Sequence, residues 1–208
     1  MDTDLAKAWM QAIAASMDKN KDQLTQLDAA IGDGDHGVNM HRGFTAVGTA
    51  LAGARSATVG DVLVKAGSAL VSNVGGAAGP LYGSAFSAAG KDLNAPNVSV
   101  VQLATALAAG LEAIKKLGAA TPGDKTIVDA FAPAVSVLVD EARTGGSLGS
   151  AAAKAATAAE TGMRATTPMQ ARKGRAAYLG PRSAGHQDPG ATSTALIFRA
   201  LADVCAGK

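Results

Sequence analysis

Apolar residues in this chain recur at helical spacing, and no run of alternating β-branched and polar residues stands out as a strand. Ala6, Trp9, Met10, Ile13 and Met17 mark one face of a first helix, from about Asp4 to Met17. A Gly-rich acidic stretch follows, then a second helix from about Asn39 to just before Gly53. A third starts near Thr58, with Asp61 in its first turn, and ends near Ser72. Gly75-Gly76-Ala77-Ala78-Gly79 breaks the chain, and Pro80 suits the first position of a fourth helix. Ser99 or Asn97 caps a fifth, with Val101, Leu103, Leu107, Leu111, Ile114 and Leu117 on its apolar side and Gly118 at its end. A sixth runs from about Gly123 to Ala142 and crosses Pro133, which should kink it. A seventh extends from Ser147 to about Met163, and the last from about Ala191 to Cys205. The connections are short, which favours antiparallel neighbours. The expected architecture is all-α, a bundle or barrel of about eight helices, with residues 1–208 forming a single domain.

Composition sharpens this picture. Apolar residues make up 48% of the 208 and aromatics only 3%, so Ala and Gly must do much of the core filling. A net charge of +2 is too small to argue for nucleic acid, and few aromatics are available to stack on bases. No segment has the uninterrupted apolar length of a membrane span. The N-terminus Met-Asp-Thr-Asp lacks a signal-like stretch, and the single cysteine, Cys205, rules out an internal disulfide framework. A soluble, cytoplasmic protein is expected.

The candidate chemistry centres on Asp28-Ala-Ala-Ile-Gly-Asp33-Gly-Asp35-His36-Gly37-Val38-Asn39. Three carboxylates confined in one loop repel each other unless a cation sits among them, and the D-x4-D-x-D spacing suits a hard divalent ion. Two overlapping patterns fail. Gly32-x-Gly34-x-x-Gly37 has no preceding strand and no acid about 20 residues on, as a dinucleotide site needs. Counted as an EF-hand from Asp33, the loop has Gly37 and Phe44 at two ligand positions. A solvated acidic turn is the bland alternative.

Three other loops could take part. Gly75–Pro80 enters a helix and could present backbone N–H groups to an anion, or could simply be a turn. Pro122-Gly123-Asp124-Lys125-Thr126 mimics a phosphate loop but has one residue too many and follows a helix, so on these residues alone it is a capped helix start. Residues 161–187 contain no acid and carry Arg164, Arg172, Lys173, Arg175 and Arg182. Arginine can grip phosphate oxygens or an acidic partner. Gly185-His186-Gln187-Asp188-Pro189-Gly190-Ala191 then turns into the final helix. In an antiparallel bundle, the loops after helices one, three, five and seven share an end. Carboxylates, small-residue helix starts and an Arg-rich loop are together the parts of a Mg-nucleotide site.

The same segments resemble a known family, the nucleotide-binding L subunits (DhaL) of dihydroxyacetone kinases. The motifs are Leu27–Phe44, Gly75–Gly83, Pro122–Thr126, Gln170–Gly180 and Gly185–Ala191, in family order and spanning nearly the full length. The resemblance implies an eight-helix antiparallel barrel that holds ADP or ATP at one end with two Mg²⁺. Asp28, Asp33 and Asp35 match the metal-binding aspartates. His36, Gly37, Val38 and Asn39 match the segment that meets the phosphates. Ala77 and Ala78 match the Gly-rich loop, where Ser is common at the second position. Gly118 and Ile127 align with the base and ribose wall, Ile127 standing where Met is common. Arg175, Asp188, Pro189 and Gly190 match the nucleotide lid, and Arg175 the residue stabilising the transferring phosphoryl group. In the family, a K subunit carries the ketose and an M subunit rephosphorylates bound ADP. A transcription regulator is a further partner, and a homodimer is left open. Rival readings are an ATP-dependent kinase subunit for another short ketose and a non-catalytic nucleotide-binding regulator. Charge reversal at Arg172 and Lys173 is expected to weaken transfer between subunits.

Overall fold

The computed structural model describes residues 1–207. It is an all-α helical bundle. Among the described residues the only β-type pairing is an isolated bridge between Asp2 and Asn97. The helices are α1 (Thr3–Lys19), α2 (Lys21–Ile31), α3 (His36–Ala52), α4 (Val59–Asn73), α5 (Ala78–Gly90), α6 (Val100–Gly118), α7 (Val128–Arg143), α8 (Leu148–Ala165) and α9 (Pro189–Ala206). A 3₁₀ segment, Arg175–Ser183, lies between α8 and α9.

The count of about eight helices therefore needs correction: the described residues form nine α-helices and one 3₁₀ segment. The added element is α2. It buries only Leu24 and Ile31, so its sequence carries no broad apolar stripe. Asn20 separates it from α1, its side chain donating to Ser16 O at 2.8 Å and ending the first helix. Another correction concerns α7. It begins at Val128 rather than near Gly123, because Lys125 has φ +62° and cannot continue a right-handed helix. On α6, Val101 and Leu117 stand exposed although they lie among the expected apolar positions.

Helix pairs pack in sequence from α3 to α9, α1 packs against both α3 and α9, and α2 lies against α3 and α9. The inner faces supply Trp9, Met10, Met40, Phe44, Leu63 and Phe198, all essentially inaccessible. Trp9 meets Phe86 edge-on at 5.7 Å between ring centroids and donates its indole N–H to Ile197 O. Sparse aromatics leave the remaining volume to close helix approach. A Cβ on Gly67 would strike Gly83 O at 2.6 Å, and one on Gly83 would strike Gly67 O at 2.8 Å, so α4 and α5 touch backbone to backbone. On α8, Ala151, Ala152, Ala155, Ala156 and Ala159 are fully buried and let α7 and α9 approach.

Helix ends are fixed locally. Ser99, rather than Asn97, caps α6: Gln102 N donates to Ser99 Oγ, and Ser99 N donates to Gln102 Oε1. Ser99→Ala is expected to cost about 1 kcal/mol, lowering Tm by roughly 2–4 °C in a domain of this size. A thermal melt followed by circular dichroism checks this. Because α2 is inserted, the four chemistry-bearing loops follow α2, α4, α6 and α8, so their shared parity is kept.

Candidate functional site

Residues from these four loops line one cavity of about 280 Å³, just below the usual range for a small-molecule site. Its acidic end is built by the α2–α3 turn. Asp28, on the last turn of α2, accepts through Oδ2 from Asp35 N at 2.9 Å and His36 N at 3.1 Å. That one oxygen folds the loop back on the helix. A Cβ at Gly32 would overlap Asp28 Oδ1, so any side chain there would displace that carboxylate. Asp33 and Asp35 are exposed, and ligand oxygens of Asp28, Asp33 and Asp35 lie within 4.8 Å of one another. Three carboxylates this close, and oxygen only, fit a hard divalent cation such as Mg²⁺.

Neighbouring groups hold this turn in place. His36 opens α3, and its Nε2 lies 2.9 Å from Ser193 Oγ on α9. Burial pushes the imidazole below its usual pKa, against the pull of Asp28 and Asp35, so it stands neutral near pH 7. Tyr82 of α5 donates to Gly190 O at 2.9 Å and lies 2.7 Å from both Ser193 Oγ and Thr194 Oγ1. Its burial raises the phenol well above the ordinary range. Arg42 donates to Asn39 Oδ1 at 2.7 Å and to Asn73 O at 2.8 Å, tying α3 to the end of α4 beside Gly75.

Asp188 caps α9, accepting from Ala191 N at 2.7 Å. Desolvation pushes its carboxyl up to about 7, opposed by the Ala191 N–H and by Lys125 and reinforced by Asp129 and Asp28. The 121–127 turn is knit by two acids. Asp129 accepts from Gly123 N at 2.5 Å and Thr126 N at 2.7 Å, and Asp124 accepts from Thr121 N at 2.9 Å.

The cavity gathers His36, Asn39, Ala77, Ala78, Gly118, Ile127, Arg175, Asp188, Pro189 and Gly190 with the three aspartates. Gly37 and Val38 do not line it: Gly37 packs against α2, and Val38 is about half exposed. Arg175 reaches the acidic end and pairs with Asp33 at 3.0 Å. Lys173 joins it at the mouth. Residue-by-residue reading missed Leu81, Ile114, Val128 and Lys125, which also line the space. Signals existed for three of them: Ile114 precedes Gly118 by one helical turn, Leu81 falls within the Gly75–Gly83 motif, and Lys125 falls within the Pro122–Thr126 motif. The arrangement has an acidic end, a small-residue flank, an apolar wall and a basic mouth. It can take a metal-bound phosphate chain with an apolar ring attached.

A family model described as the DAK2 domain matches residues 30–203. The chain is 40% identical over 200 residues to the ADP-binding subunit DhaL of PEP-dependent dihydroxyacetone kinase 1 from Listeria innocua serovar 6a, covering 96% of each chain. It is also 40% identical over 189 residues to an L-erythrulose 1-kinase from Mycolicibacterium smegmatis, covering 88% of this chain and 32% of that enzyme. Among solved structures, the dihydroxyacetone kinase from C. freundii in complex with AMP-PNP and Mg²⁺ superposes with a TM-score of 0.71 at 26% identity. That match covers 98% of this chain and 34% of the kinase, so the chain spans about a third of it. The chain belongs to the DAK2 domain family, together with the DhaL subunit it matches almost end to end.

Proposed function

We propose that this protein is the ADP/ATP-binding phosphoryl-transfer subunit of a dihydroxyacetone kinase. The observation that carries this is one cavity whose lining combines the cluster of Asp28, Asp33 and Asp35 with apolar Leu81, Ile114 and Ile127 and with basic Lys173 and Arg175. Residues 1–208 act as one nucleotide-binding domain. Helices α1 and α3–α9 read as an eight-membered antiparallel barrel, with α2 outside the ring carrying Asp28.

The three aspartates would hold two Mg²⁺, which when bound neutralise and orient the phosphates. Gly37 and Val38 stand outside the lining, and their first-turn N–H groups, which have no intrahelical partners, add positive charge at the helix start beside the phosphates. Asn39 and the Ala77–Ala78 helix start meet further phosphate oxygens. An Ala at 78 offers an N–H there but no hydroxyl. Gly118, Ile127, Leu81 and Ile114 form the apolar side for the adenine. Arg175 carries the lid's positive charge to the transferring phosphoryl group, where a guanidinium can stabilise the charge spread over its oxygens. The chain needs no general base of its own, because the ketose is held on a K subunit. ADP is rephosphorylated in place by a phosphotransferase-system M subunit, in the cytoplasm.

The test is to combine the protein with K and M subunits, the phosphocarrier proteins that charge the M subunit from phosphoenolpyruvate, and dihydroxyacetone, and to follow phosphorylation driven by phosphoenolpyruvate or by ATP. Transfer from phosphoenolpyruvate that requires all three subunits is the expected result. The identity with the erythrulose kinase favours a second reading, direct use of ATP for another short ketose. ATP-driven turnover without the M subunit would select it. Nucleotide binding with no transfer to any K subunit would leave only a regulator.

The basic lid supplies a partner surface as well. Lys173 lines the cavity, so it is a poor probe of docking alone. Arg172 and Arg182 are exposed and stand outside the lining. The double substitution Arg172→Glu, Arg182→Glu is expected to slow transfer to the K subunit by about tenfold while sparing ADP affinity. Equal loss of both, measured by coupled assay and calorimetry, would contradict this.

A further inference from the structure

The connection between α8 and α9 brings Lys173 and Arg175 to the cavity mouth, yet it has almost no apolar anchor. Of residues 166–188, only Thr166, Ala171, Ser183 and Asp188 are buried. The anchor is polar and comes from another loop. Lys125 is 1% exposed, and its ammonium donates to Thr166 O at 2.8 Å, to Met169 O at 3.1 Å and to His186 O.

Two of these carbonyls belong to the end of the connection that leaves α8. The third belongs to the end that returns to α9. An ammonium has three protons, and here each meets a carbonyl, so none is left for a ligand. Lys125 also adopts φ +62°, a conformation unusual for a side-chain-bearing residue. Burial lowers its proton affinity, and Asp188 opposes that effect. Backbone bonds complete the same junction: Arg172 N donates to Asp124 O at 3.1 Å, and Gly185 N donates to Thr167 O at 2.8 Å. Ala171 N donates to Ser183 Oγ at 2.8 Å, closing the loop on itself.

We propose that Lys125 is the positioning residue of the lid: its ammonium ties both ends of residues 166–188 to the 121–127 turn and so fixes where Arg175 stands over the cavity. Its effect on nucleotide rests on the function proposed above, whereas its effect on the lid does not. Lys125 is not a catalytic residue, because it reaches the chemistry only through the lid it holds. A purely structural lysine would loosen the whole bundle when removed. A lid clamp loosens the lid and leaves the helical core unchanged.

Amide hydrogen exchange in the full-length protein separates the two. In Lys125→Met, the amides of Ala171, Arg172 and Gly185 are expected to exchange at least about tenfold faster. Amides in the middle of α4 and α5 should keep their wild-type rates, and Mg-ADP should dissociate faster. Lys125→Arg keeps the charge and some donors, but a planar fork does not reproduce three convergent bonds, so its lid amides should fall between. Uniform acceleration in α4, α5 and the lid would overturn the proposal, and so would unchanged lid amides. If Lys125→Met fails to fold, the arginine variant decides by the same criteria. Wild-type protein that binds no Mg-ADP would overturn the nucleotide reading, and the amide comparison would then decide the clamp by itself.

Discussion

Asp33→Ala is expected to lose Mg²⁺-dependent ADP binding by roughly 100-fold or more, about 3 kcal/mol, with the fold intact. Asp33 sits on an exposed turn, and its one ion pair is with Arg175, whose side chain is 69% exposed. An exposed pair of that kind contributes little to stability. Its contribution to a cation site is different in kind. Asp28 already spends one oxygen on the N–H groups of Asp35 and His36, so Asp33 and Asp35 must supply most of the remaining oxygens. Taking one away leaves too few charges to hold a doubly charged ion against water. Calorimetry with ADP in Mg²⁺ reads the loss directly, and an unchanged affinity would remove the acidic loop from the nucleotide site.

Gly37→Ala is expected to reach the same site through the backbone. A Cβ at this position would overlap Lys21 O and Thr25 Oγ1 of α2. A carbonyl in a helix cannot step aside as a flexible side-chain end can, so α3 must draw back from α2. The strain should cost about 2–3 kcal/mol, seen as a lower urea midpoint. The same displacement separates Asp28, on α2, from the Asp35 and His36 N–H groups at the start of α3. Mg-ADP affinity should therefore fall with stability. Gly48, on the same helix, would place a Cβ in open space. Gly48→Ala should match the wild type or exceed it slightly, because Ala is the better helix former. If Gly37→Ala had wild-type stability, the close α2–α3 packing would be wrong.

These two positions show what the sequence made legible. The acidic loop stood out because three carboxylates with glycines between them have few other uses. The convergence of the four loops followed from helix parity, and the unexpected α2 did not disturb it, since the loop concerned moved to the far end of the inserted helix. That helix was hidden because it buries only two apolar side chains; tertiary contact, rather than a stripe, holds it. The 121–127 turn was hidden for another reason. Its helix-like residues are diverted by Asp129, which takes the N–H groups of Gly123 and Thr126. Lys125 was the hardest to see. Lysine is a surface residue by default, and three carbonyl partners from a distant loop leave no trace in local sequence. Val101 and Leu117 err the other way, as apolar residues at regular spacing that nonetheless face outward.

The wild-type protein titrated with ADP, first in Mg²⁺ and then with the divalent ion chelated, tests the central claim most directly. Saturable binding of one ADP per chain in Mg²⁺, lost on chelation and restored by added Mg²⁺, is the predicted result. ADP binding of equal strength without a divalent ion, or none with it, would contradict a metal-bridged nucleotide site at Asp28, Asp33 and Asp35.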